Sequence, residues 1–240
     1  MGGDPRDGGT PSLSDPAAAD PPRDCPLCPR LVAYRNANRV RLPDGWNAPV
    51  PGWGDPGAWL CVVGLAPGVM GANRTGRPFT GDHAGVLLYQ TLLAHGFAEG
   101  TYGARADDGL TLTGAFISNA VRCVPPENRP TPEETRTCRP FLDTQLASLP
   151  NLRVVIALGQ IAHQSAVKAL GGKLPKHPFA HGAEHRMLSG VRLLDSYHCS
   201  RLNTNTGRLT AAMFGAVFGR AAALQNADRD RSWVDTTGRN

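Results

Sequence analysis

The residues in this 240-residue chain that could do chemistry are six cysteines, a glycine-rich loop carrying arginines, an asparagine and a histidine. Cys25-Pro-Leu-Cys28 is a C-x2-C pair, and Cys123 and Cys138 follow much later. Four thiolates suffice for tetrahedral zinc or for a 4Fe–4S cluster. No open ligand position is evident, so the set reads as structural rather than catalytic. Cys61, inside the apolar run WLCVVGL, reads as a small core residue, and Cys199 as a packed rather than a reactive thiol.

Three further segments stand out. From Gly64 to Gly85 the chain reads GLAPGVMGANRTGRPFTGDHAG, whose six glycines let backbone approach a ligand and point N–H groups at it. The segment matches neither the G-x-x-x-x-G-K-[ST] nor the G-x-G-x-x-G pattern, which disfavours a nucleotide-phosphate loop. Arg74 and Arg77 add positive charge, and Phe79 offers a flat face for stacking. From Ile117 to Pro130 the sequence is ISNAVRCVPPENRP, with Asn119 at the tip of an apolar run; YHCSRLNTNTGRL, from Tyr197 to Leu209, places His198 similarly. Taken singly, Asn119 reads as a turn cap and His198 as a satisfied loop histidine.

The elements that must position these groups follow from hydrophobic patterning. Apolar runs at Trp59–Leu65, Leu112–Asn119, Leu152–Leu158 and Val191–Tyr197 predict strands covered on both faces. Helical patterns follow each, at Ala84–His95, Thr131–Leu149, Gln160–Leu170 and Asn205–Leu224. The second opens on Thr131-Pro132-Glu133-Glu134, a capping box with proline at the first helical position, and Pro140 is expected to kink or break it. Alternating strands and helices predict a three-layer α/β/α sandwich around a four-stranded parallel sheet. Ligands of such sheets bind beyond the carboxyl ends of the strands, where these loops begin.

Residues 1–22 and 227–240 read as disordered tails around one domain spanning 23–226, although Trp233 in the second could dock. The net charge is +5, with only Lys168, Lys173 and Lys176 as lysines. Arginine suits phosphate, but a GC-rich genome produces the same bias, so charge alone selects no partner. No run approaches a membrane span and no export signal is present. A cytoplasmic monomer, in a reducing compartment at a bacterial nucleoid, is expected.

Together, GLAPG, NRTGRPFTGD, SNAVRCVPPENRP, HCSRLNTNTGRLT and the Cys25/Cys28/Cys123/Cys138 set resemble the uracil-DNA glycosylase superfamily, in its iron–sulfur B type (family 5). The resemblance spans roughly residues 24–225. It implies a structural 4Fe–4S cluster on those four cysteines and DNA as partner. It also implies hydrolysis of uracil, and of other deaminated bases such as hypoxanthine, from a nucleotide flipped out of the helix. Two places depart from the superfamily pattern. Ala66 stands where most members have an acid or amide, a departure the B type shares, and His198-Cys199-Ser200 replaces H-P-S.

Phe79 is then expected to stack on the base, Asn119 to read its edge and His198 to stabilise charge on its departing oxygen. Asn119 or the backbone at Gly64–Gly68 would position water, with Asp82 and Asn73 as candidates for the missing polar group. Ala66 and Gly68 would line the substrate, Leu202 would fill the gap left in the duplex, and Arg74, Arg77, Arg201 and Arg208 would hold phosphates. Two alternatives remain at this level: a damaged-base binder without turnover, and a zinc-dependent phosphodiester hydrolase. The second lacks the clustered acids and histidines of two-metal chemistry.

Overall fold

A computed structural model describes residues 19–237, with side chains described over 19–226. In chain order the elements are α1 (Pro29–Arg41), β1 (Trp53–Gly54), β2 (Leu60–Gly64), α2 (Ala72–Thr75), α3 (His83–Ala94), β3 (Ala98–Glu99), β4 (Thr111–Leu112), β5 (Ala115–Asn119), α4 (Pro132–Ala147), β6 (Val154–Leu158), α5 (Gln160–Ala169), β7 (Glu184–Arg186), β8 (Arg192–Ser196), α6 (Arg201–Asn205) and α7 (Ala211–Thr237).

The central sheet has six strands in the order β1-β5-β2-β6-β8-β7. Its inner four, β5, β2, β6 and β8, are parallel and lie within the four expected runs. The expected count was short by two antiparallel edge strands, β1 on β5 and β7 on β8. These have only two and three residues, too few to show a period of two in the sequence. A separate two-stranded ribbon pairs β3 with β4.

The inner strands are apolar throughout because both faces are covered. Leu60, Val62, Ile117, Ile156 and Leu194 point to one face and pack with Leu88 and Leu92 of α3 and Phe214 and Phe218 of α7. Cys61, Val63, Phe116, Val155 and Leu193 point to the other and meet Leu142 and Leu146 of α4 and Ala162 and Ala166 of α5. The chain leaves β2 for β5 through α3, and leaves β6 for β8 in the opposite direction through α5. The crevice between the carboxyl ends of β2 and β6 is therefore the topological switch point of the sheet.

Helix α4 begins with the expected capping box: Glu134 N–H donates to Thr131 Oγ1, and Thr131 N–H donates to Glu134 Oε2. It then runs through Pro140 without the break that was one of the two outcomes expected there. Pro140 and Arg136 are both exposed, so the carbonyl left without its usual donor lies on the solvent side. The last helix starts later than expected, at Ala211, where Thr210 Oγ1 accepts from Met213 N–H. The NTNTGR segment ahead of it forms the short α6 and a turn.

Both expected tails differ from the structure where it describes them. Ala19 is buried, and Asp20 Oδ1 accepts from Arg122 Nη1 (2.8 Å) and from Gly52 N–H (3.0 Å). Arg122 is fully buried and needs that countercharge, which composition does not reveal. At the other end α7 continues to Thr237. Residues 1–18 and 238–240, and the side chain of Trp233, lie outside the described residues.

Candidate active site

Parallel register sets Gly64, the last residue of β2, beside Asn119, the last of β5. A Cβ on Gly64 would collide with Asn119 Oδ1 and with the ring of Phe79, so the asparagine amide and the Phe79 ring converge over this glycine. The Phe79 ring stacks toward that of His198, with centroids 6.0 Å apart and planes 29° apart. His198 itself follows β8, two residues beyond its end, and its Cβ lies 3.4 Å from where a Cβ of Gly159, the residue just past β6, would stand. Four strand tips thus supply one site.

Two polar atoms here have no hydrogen-bond partner among the described residues: Asn119 Oδ1 and His198 Nδ1, both buried. Leaving such a group unsatisfied costs roughly 1–3 kcal/mol, and groups of this kind call for a specific explanation. Burial pushes the His198 imidazole below its ordinary value, opposed by the negative charge of nearby Asp82. The ring is therefore neutral at pH 7, with one N–H to donate.

Asp82 caps α3, accepting from Gly85 N–H through Oδ1 at 3.2 Å. Its Oδ2 lies 3.1 Å from where a Cβ of Gly68 would stand, and a Cβ on Gly71 would also collide with this carboxylate. The glycines of the loop make room for Asp82 beside His198. Phe79 is held from behind in a left-handed backbone conformation (φ 53°), with Tyr102 OH donating to its carbonyl at 3.3 Å and Tyr89 OH donating to that of Pro78 at 2.6 Å. A non-glycine residue in such a conformation costs on the order of 1–3 kcal/mol and persists where its surroundings over-determine it.

Several expected site residues lie elsewhere. Arg77 is buried and makes a two-pronged pair with Asp108 (2.7 Å for each prong), over the rings of Trp53, Tyr89 and Tyr102. It braces the Phe79 loop and is not available to phosphate. Asn73 is buried and donates from Nδ2 to Asn47 Oδ1 (2.9 Å), tying the loop to the chain after α1. Ala66 packs on the cluster of Leu31, Val121 and Cys138.

Arg74, Arg201 and Arg208 are exposed. Arg208 lies over the Tyr197 ring at 4.5 Å and lines, with His198 and Phe179, a cleft of about 360 Å³. Leu202 projects from α6 with 72% of its surface exposed.

The sequence matches the uracil DNA glycosylase superfamily over residues 51–221. The chain belongs to the uracil-DNA glycosylase superfamily. Among its relatives in this superfamily are a type-5 uracil-DNA glycosylase of Thermus thermophilus, 48% identical over 83% of this chain and 93% of that protein, and one of Pyrobaculum aerophilum, 43% identical over 83% and 88%. A type-4 uracil-DNA glycosylase of Thermotoga maritima is 33% identical over 90% of this chain and 92% of its own.

Among the described residues the four expected cysteines do not form a group with ligand atoms within 4.8 Å of one another, but they share a cavity. Cys25, Cys28, Cys123 and Cys138 line one cavity, walled by Leu31, Val121 and Phe141. Burial and the neighbouring sulfurs push Cys28 up to about 11 and Cys123 up to about 12. Arg122 N–H points at Cys138 Sγ (3.3 Å), and Arg35 Nη1 at Cys123 Sγ (3.9 Å). Cys28 caps α1, and Arg30 of that helix binds both carboxylate oxygens of Glu134 at 2.7 Å, so the cavity joins α1 to α4. Cys61 and Cys199 are fully buried, as expected of packing residues.

The Asp108 brace and the Asp20 tie escaped sequence reading. Each joins positions far apart in sequence, and neither has a local pattern.

Proposed function

We propose that this protein removes uracil from DNA by hydrolysing its N-glycosidic bond, leaving an abasic site. The observation that carries this reading is the pair of partnerless polar atoms, Asn119 Oδ1 and His198 Nδ1, flanking the Phe79 ring. A flipped pyrimidine supplies what all three lack: a flat face for Phe79, a donor edge for Asn119 and a carbonyl oxygen that gains charge beside His198. The names of its relatives point to the same substrate.

In the reaction the bond between C1′ and the base nitrogen breaks, and its electrons move onto the base. The neutral His198 ring donates a hydrogen bond to the base oxygen as charge develops there. The Asp82 carboxylate, seated against Gly68 and Gly71, orients the water that adds to C1′ and accepts the proton it releases, which then passes to solvent as the base leaves as its anion. It takes the place that the first motif leaves to Ala66. Gly64 admits Asn119 and Phe79 together, and hypoxanthine is a second expected substrate because it presents Asn119 with an N–H/C=O edge like that of uracil. Leu202 fills the gap in the duplex, and Arg74, Arg201 and Arg208 hold phosphates.

Cys25, Cys28, Cys123 and Cys138 are the residues that would hold a 4Fe–4S cluster. Four thiols in an apolar cavity with N–H groups directed at sulfur fit such a group. When bound it supplies a structural link between the N-terminal segment and the loop after β5. Purified protein should contain roughly four irons per chain; a colourless protein with stoichiometric zinc on sulfur would exclude the cluster.

Incubation with a uracil-containing oligonucleotide tests the activity. Free uracil and an alkali-labile abasic site are expected. Strand scission without free base would favour a phosphodiesterase, and binding without either product a damage sensor.

A further inference from the structure

The second half of the chain carries a group of residues that the glycosylase site does not use. Asp195 on β8 is fully buried, and its side chain points to the same face as Leu193, toward α5. His163 Nδ1 of α5 lies 2.7 Å from Asp195 Oδ1, and His185 Nε2 of β7 lies 3.3 Å from Asp195 Oδ2. The three ligand atoms lie within 4.8 Å of one another. We propose that His163, His185 and Asp195 form a second metal site, taking a divalent first-row cation, with zinc as the best match to two imidazoles and a carboxylate.

Three observations carry this. First, the spacing fits. Ligands about 2.0–2.1 Å from a tetrahedral zinc stand roughly 3.3–3.4 Å apart; the two histidine nitrogens lie 2.7 and 3.3 Å from the two separate oxygens of Asp195, and one ligand atom from each of the three residues falls within 4.8 Å of the others. Second, both nitrogens of His163 face acceptors. Nδ1 faces the carboxylate, and Nε2 faces the carbonyl of His177 at 2.8 Å. A neutral imidazole has one N–H for these two acceptors, so a proton or a cation must lie between Nδ1 and Asp195. With a cation there, Nε2–H donates to the His177 carbonyl, the outer contact by which metal-bound histidines are usually oriented.

Third, a further histidine stands beside the group. His177 Nδ1 donates to the Lys173 carbonyl at 2.9 Å, which leaves Nε2 with the lone pair, and its ring meets that of His185 edge-on at 5.5 Å. Its nitrogens stand outside the three-residue ligand group, which leaves a fourth position open. The site would pin edge strand β7 and the connection from α5 onto β8. That connection carries Phe179, whose ring meets both His163 and Tyr197 and lines the cleft beside His198.

Equilibrium dialysis of the full-length, iron-loaded protein against buffered micromolar Zn2+, with elemental analysis of both metals, tests this. One zinc per chain in addition to iron is expected, with nitrogen and oxygen neighbours in its X-ray absorption spectrum. That zinc should be lost in His163→Gln and in His185→Gln. The latter is the safer variant, since its side chain is partly exposed and its replacement leaves Asp195 paired with His163. Absence of bound zinc, sulfur as its neighbour, or undiminished binding in a folded His185→Gln protein would each overturn the assignment.

Discussion

The role proposed for His198 needs a neutral ring, and burial favours that state. Its folded-state pKa lies below the ordinary value of about 6.5. Between the two values the unfolded chain takes a proton that the folded chain refuses. Folding stability therefore falls as pH drops below about 6.5, and His198→Asn should remove that part of the acid sensitivity in pH-dependent denaturation. On the catalytic side, His198→Ala should slow single-turnover uracil release roughly 100- to 1000-fold, the scale for one preorganised donor. Near wild-type rates would move the charge stabilisation elsewhere. Asp82 has two jobs that substitution separates. Asp82→Asn keeps a good helix cap, so melting should change little while the chemical step slows; Asp82→Ala should lose the rate and about 1 kcal/mol of stability as well. Equal rates for wild type and Asp82→Asn would remove the carboxylate from the water.

Among the elements, the loop between β2 and α3 is held from both sides. At its start Gly64 leaves the space that Asn119 and Phe79 share. Gly64→Ala should cost about 1–3 kcal/mol through overpacking and lower activity by more than that loss of stability explains, because the added methyl displaces both groups proposed to contact the base. A variant with normal kinetics would show that the two side chains can part without consequence. Behind the loop, hydrogen bonds from Arg77 hold the Asp108 carboxyl well below the usual carboxylate range. A depressed carboxylate stabilises the fold above its ordinary pKa and loses that contribution as pH falls through the folded value. Breaking such a buried pair by Asp108→Asn should destabilise by roughly 3–5 kcal/mol. Thermal unfolding at neutral and strongly acidic pH measures this, and the gap between variant and wild type should narrow in acid.

Across the whole molecule, the arginines divide between scaffold and surface, and salt dependence tells them apart. Arg208 is exposed and braced on Tyr197 beside the cleft. Arg208→Ala should lower the slope of log affinity against log salt on undamaged duplex by about one unit. Arg77→Ala, by contrast, should lower the melting temperature and leave the slope of the surviving folded protein unchanged. A reduced slope for Arg77→Ala would place that guanidinium on DNA after all.

Much of this was legible in the sequence. The inner strands are buried on both faces and so read as continuous apolar runs, and the capping box at Thr131 is local chemistry that needs no tertiary context. Asn119 and His198 could be picked out as candidates because they stand at or just past strand ends of a parallel sheet, Phe79 because it is an aromatic ring in a glycine-rich loop, and the cysteines because thiolates are scarce. Tertiary structure alone decided what each charge does. The sequence treats Arg77 and Arg208 alike as cations near glycine-rich loops, yet one is enclosed by Asp108 and three aromatic rings and the other lies open. In the same way Asp20 reads as part of a polar tail until Arg122, buried a hundred residues later, requires its charge. Hydrophobic periodicity is written along the chain. The partner of a buried charge comes from anywhere in it, so only the folded arrangement names that partner.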